Sequence, residues 1–122
     1  KVDAKLGGKI VNSEGQTDKE AWGKPAAWVD YHGPVDGQTV GIAILNHPAS
    51  FRFPTYWHVR TYGLFAANPF GLHHFKRSDD YDGSHTLAPG ETMTLRYRFL
   101  FHPGDEKIGK VAEAFAAYAK QP

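Results

Sequence analysis

Tyr56, His58 and Arg60 alternate with Trp57, Val59 and Thr61 inside the segment 55–71, TYWHVRTYGLFAANPFG. If residues 56–61 form a strand, the period of two puts the phenol, the imidazole and the guanidinium on one face. His58 and Arg60 then leave the backbone roughly 7 Å apart. A guanidinium fork fixes a carboxylate or sugar hydroxyls, and an imidazole takes up or releases a proton near neutral pH. The pair therefore reads as catalytic, with Arg60 as substrate clamp and His58 as acid, base or metal ligand. A plainer account of the same residues pairs Arg60 with an acid such as Asp30 and His58 with a cross-strand partner.

The expected substrate contacts around this pair are Tyr56, Trp57, Asn68 and Arg96. Flat rings stack on sugar faces and their polar tips bond hydroxyls, so Trp28, Trp57, Tyr31, Tyr56 and Tyr62 invite a carbohydrate reading. Core packing is the commoner fate of such rings, with Tyr56 the expected exception. Arg96 and Arg98 would extend a positive patch toward Arg60 or discourage sheet-edge pairing. Seven histidines are enough for a metal site. His47, His58, His73, His74 and His85 are the candidate ligands, for a divalent transition metal such as copper or zinc. No pair has the spacing that puts two imidazoles on one face of one element, and the alternative is a scatter of loop histidines. Asp79, Asp80 and Asp82 lack the later acidic ligand of a helix-loop-helix calcium site and read as a solvated charge run.

The elements that must position these groups are mostly strands. Residues 8–12 predict a short strand, and Thr17 with Glu20 a capping box that opens one helical turn, closed by Gly23 and Pro25. Residues 26–31 and 39–47 predict a strand pair joined by the turn residues 32–37. In the second strand Val40, Ile42 and Ile44 share one face and Gly41, Ala43 and Leu45 the other, the pattern of a central strand. Residues 47–54 predict a loop, 64–67 a strand, 68–71 a turn, 73–84 an exposed loop and 84–87 a short strand. Residues 92–102 alternate most clearly, with Met93, Leu95, Tyr97, Phe99 and Phe101 on one face. Asp105 caps a predicted helix over 107–120, whose stripe includes Ile108, Val111, Ala112, Phe115, Tyr118 and Ala119. The fold class expected is mainly β, an antiparallel β-sandwich, half-sandwich or jelly-roll-like, with one C-terminal α-helix, in a single domain over 1–122.

Composition sets the outer bounds. The chain has 122 residues and a formal net charge of +1, which leaves no electrostatic footprint for nucleic acid. No cysteine is present, so disulfides, thiolate metal sites and cysteine nucleophiles are excluded. Residues 40–45, VGIAIL, are the strongest apolar run and fall far short of a transmembrane segment. No phosphate-binding glycine loop, G-x-S-x-G elbow or paired-carboxylate pattern occurs. The expected compartment is the periplasm or the exterior rather than the cytoplasm, with a signal peptide not present in this chain.

KIVNSEGQ, AWVDYHGPVDGQTVGIAILNHP, TYWHVRTYGLFAANPFG, and DGSHTL followed by PGE and LRYRFLFHPGD together resemble the bacterial family labelled PmoA or methane oxygenase. The similarity covers nearly the whole chain and corresponds to the C-terminal part of typical members, which carry a histidine-rich HPHH segment upstream. The resemblance implies a β-sandwich, often encoded near sugar-processing genes in polysaccharide-degrading bacteria. It does not imply membrane methane oxidation, because nothing here could enter a bilayer. The functional expectation is a carbohydrate-active protein, a metal-dependent enzyme acting on a sugar or polysaccharide through the His58/Arg60 face. The alternative is a non-catalytic sandwich module that binds carbohydrate or a partner chain. If the chain is half of a larger sandwich, it should expose an apolar face and complete its core as a homodimer.

Overall fold

Hairpin chemistry organises the main sheet. In the computed structural model, which describes residues 3–122, β2 (Trp28–Val35) and β3 (Gln38–Asn46) pair antiparallel from Trp28↔Leu45 to Val35↔Gln38. Only Asp36 and Gly37 lie between them, with φ of 51° and 79°. Two successive left-handed residues make the turn whose twist matches that of the strands, and Asp-Gly is among its preferred sequences. The strands thus run through His32, Gly33 and Pro34, so the turn is shorter than the 32–37 span its residue types suggest. Pro34 is tolerated because β1 (Lys9–Asn12) stops pairing at His32, and β2 has one neighbour beyond that point.

β6 (Tyr97–Pro103) adds to the far side of β3, giving the order β1-β2-β3-β6 with every pair antiparallel. A second, two-stranded sheet holds β4 (Trp57–Val59) and β5 (Phe65–Ala67). The protein is therefore mainly antiparallel β in two sheets, with a short helix α1 (Leu72–Lys76) and a C-terminal helix α2 (Val111–Ala119). Among the described residues no helix is long and apolar enough to cross a membrane.

The central position expected for β3 follows from its two apolar faces. On one side Ile44 joins Ile10, Val29, Tyr31, Trp57 and Val59, with Phe65 packed against them, so β4 and β5 cover this part of the sheet. On the other side Ala43 and Leu45 pack with Trp28 against Val111 and Tyr118 of α2. Among the described residues of β6 only Tyr97 packs against the Ile44 cluster. Ile42, Phe99 and Phe101 share one face by register, and they are 37%, 60% and 73% exposed. An apolar strip of the kind anticipated from the sequence thus stays uncovered.

Several local expectations change. Thr17 stands before a 3-10 turn, Asp18–Ala21, but its side chain makes no capping bond; the Asp18 carboxylate instead accepts the backbone N–H of Ile10 at 3.0 Å. Residues 84–87 form no strand, and regular pairing in the 92–102 segment begins only at Tyr97. The reason is the partner: β3 ends at Asn46, after which the chain loops. Phe51 N–H donates to Thr94 O and His47 N–H to Arg96 O in irregular pairing. The final helix starts at Val111 rather than 107, because Asp105 Oδ1 accepts from Lys107 N–H and Ile108 N–H and closes a separate turn first. Arg52 pins the remaining loops: its guanidinium donates to the carbonyls of Pro69, Gly83 and Ser84 at 2.7–3.0 Å.

Candidate functional site

Tyr56, His58 and Arg60 emerge from one side of the β4 segment, where each is half-buried, while Trp57 and Val59 are fully buried on the other. This corrects the expectation that Trp57 touches substrate: its ring is core, and its indole N–H donates to Ala26 O at 2.9 Å. The polar face is roofed by Trp22 and by Phe75 of α1. Trp22 Nε1–H donates to His58 Nδ1 at 2.8 Å, which puts the His58 proton on Nε2. Phe75 stacks on Tyr56 at 5.8 Å and meets Trp22 edge-on at 5.4 Å. The Arg60 guanidinium lies 4.3 Å from the centre of a Trp22 ring, and that of Arg77 5.4 Å away.

Arg60 and Arg77 border one cleft of about 340 Å³ with Trp22, Lys19 and Tyr62. Among the described residues none of these three cations has a carboxylate within 4 Å. Arg60 therefore does not pair with Asp30, as the plainer reading had it. Three cations outside any ion pair at the wall of one cleft with Trp22 and Val59 attract an anion, and guanidinium planes can meet a carboxylate in fork geometry.

The other expected site residues are spread across the molecule. His47 is buried, with Nε2–H donating to Gln121 O at 2.7 Å and Nδ1 accepting from Ala49 N–H at 3.0 Å, so neither nitrogen is free for a metal. His73 and His74 lie on α1, not in a loop, with ring centres 5.1 Å apart. His85 packs against Phe51. Asn68 Oδ1 accepts from Phe70 N–H and shapes its own turn. Arg96 donates to Pro122 O, and Arg98 bonds Gln121 and lies over Tyr118, so both hold the C-terminal segment rather than extending a patch toward Arg60.

A second cluster went unread in the sequence. Asp30 is fully buried, and its carboxylate accepts from His32 Nδ1 at 2.8 Å and from His102 Nε2. The other nitrogen of His102 faces Pro103 O at 3.0 Å, so both ring nitrogens donate. Burial pulls the His102 pKa down, but the bonds to Asp30 and Pro103 outweigh it and leave it raised. The ring fits because Gly41 and Gly109 flank it; a Cβ at either position would overlap it. Glu106 Oε2 lies 3.9 Å from His32 Nδ1. His32 also lines a cavity of about 320 Å³ with Lys9, Thr39 and Asp105. Asp105 is held in place by the Ile108 and Lys107 N–H groups, which keep its carboxyl below the usual range. The available sequence signal was Asp-x-His at 30 and 32, two ligand types on one strand face. His102 joins them only through the β3–β6 pairing.

Residues 1–116 match the profile of a protein family described as a family of unknown function. No curated protein and no solved structure matches the chain.

Proposed function

The chain belongs to DUF6807, a family of unknown function, and we propose, from its own side chains, that it binds the carboxylate of an acidic sugar in the Trp22 cleft. The observation that carries this reading is the convergence of Arg60, Arg77 and Lys19 on one cleft, with no carboxylate within 4 Å of any of them among the described residues. Trp22 and Tyr62 supply flat apolar surface of the kind that a pyranose face packs on. The resemblance to proteins encoded near sugar-processing genes supports the sugar half of the reading, and the three cations support the acidic half.

In this reading Arg60 keeps the clamp role expected from the sequence. His58 becomes a positioning residue: it accepts the Trp22 indole N–H and so fixes the ring on which the arginines lie. Because its Nδ1 is committed to Trp22, a general-base role is less favoured than recognition. A hydrogen bond to a charged group contributes about 1.5–3 kcal/mol.

Titration with a uronic-acid oligosaccharide, followed by tryptophan fluorescence and by amide shifts, should show saturable binding that weakens with salt. The carboxyl-reduced, neutral form of the same oligosaccharide should bind about 10-fold or more weakly, and Arg60→Met or Arg77→Met should each cost about 10–100-fold. Equal affinity for the acidic and neutral forms, or unchanged affinity in both arginine variants, would overturn the assignment.

A further inference from the structure

We propose that Asp30, His32 and Glu106 form a divalent-metal site on the opposite side of the main sheet from the Trp22 cleft, independent of sugar binding. Each residue offers one donor atom within 4.8 Å of those of the other two, and His32 Nδ1 faces Asp30 Oδ2 on one side and Glu106 Oε2 on the other. Among the described residues this is the only group of three or more such side chains so placed.

The geometry is close to what a metal needs. In a tetrahedral site with bonds of about 2.0–2.2 Å, ligand atoms sit roughly 3.3–3.6 Å apart. The His32–Asp30 and His32–Glu106 separations are 2.8 Å and 3.9 Å, each within an ångström of that spacing, and the Asp30–Glu106 separation, at most 4.8 Å, is brought in by rotation of the Glu106 side chain. On binding, His32 gives up its Nδ1–H bond to Asp30 and carries its proton on Nε2, an ordinary change of tautomer.

The surroundings fit as well as the ligands do. Asp30 spends only one oxygen on His32; the other accepts from His102, which is itself locked by Pro103 O and by the absence of side chains at Gly41 and Gly109. Carboxylates that ligate a metal are themselves hydrogen-bonded, and His102 supplies that bond here. Asp30 and His32 come from one rigid strand, and Glu106 from the turn closed by Asp105, so the site closes when that turn packs onto β2. Three protein ligands leave a coordination position for water or for an oxygen donor entering the adjoining cavity, where Lys9 and Thr39 offer polar contacts. One imidazole with two carboxylates suits zinc, manganese or iron(II) better than a soft thiophilic ion.

Chelator-stripped protein titrated with Co²⁺ should develop a visible d–d absorption that saturates at one ion per chain and is displaced by Zn²⁺. Glu106→Gln, at the rim of the site, should keep the fold by circular dichroism and weaken Co²⁺ binding at least about 10-fold. His32→Ala should abolish the absorption, and His85→Ala should leave it unchanged. Sub-stoichiometric binding, or a Glu106→Gln titration superimposable on that of the wild type, would overturn the site. Uronate titrations of the same variants should stay at wild-type affinity, because Arg60 and Arg77 belong to a different cleft.

Discussion

Trp57→Ala is expected to lower the unfolding free energy by about 3–5 kcal/mol, much of the roughly 5–15 kcal/mol an ordinary domain possesses. Trp57 is the largest fully buried side chain and the β4 residue that fills the space between the two sheets, against Val29 and Ile10 among others. Its removal leaves a cavity, and it also leaves Ala26 O buried without the indole donor. Trp57→Phe separates the two terms. It keeps most of the apolar volume and loses the hydrogen bond, so its cost should be smaller, about 1–3 kcal/mol. Urea unfolding followed by circular dichroism gives both values. A loss below about 1 kcal/mol for the alanine variant would mean that the small sheet is not held on the large one through this ring.

Asp30→Ala should be comparably severe, costing about 3–5 kcal/mol, because it removes one partner of a buried charged cluster and leaves the other behind. His102 has little freedom to reach water, since its ring is slotted between Gly41 and Gly109. The comparison that isolates the buried pair is the double variant Asp30→Leu with His102→Leu, which leaves only the partly exposed His32 of the cluster and should recover part of the loss. The measurement belongs in chelator, so that bound metal does not add its own linkage to the folded state. If Asp30→Ala unfolded at the same urea concentration as the wild type, the cluster would contribute nothing to holding β2, β3 and β6 together.

What the sequence made readable was local. Residues 32–37 marked a hairpin connection, although only Asp36 and Gly37 form its turn; the two-sided apolar pattern of 40–45 marked a strand with neighbours on both edges, and the alternation at 56–61 marked a face with Tyr56, His58 and Arg60 in a row. What it hid depended on chain segments far apart. His102 reaches Asp30 across 72 positions through a strand pairing that no local pattern specifies. Trp22 and Arg77 complete the cleft around Arg60 from a loop and from the end of a five-residue helix. That helix carried little periodic signal of its own, and Phe75 within it packs on Trp22 and Tyr56. The alternation of 92–102 was real as a pattern, but half of it finds no straight neighbour, because a strand exists only where a partner does.

Arg52 carries a consequence for how the domain comes apart. Its three bonds tie the turn after β5 to the stretch around residues 83 and 84, and the neighbouring residues 85–96 have no regular strand or helix of their own. Loss of one guanidinium would loosen the 83–84 end of that outer belt while the β1-β2-β3-β6 ladder remained intact. Local opening at that end would then precede global unfolding, while the bonds of Phe51 to Thr94 and of His47 to Arg96 hold the end next to β6.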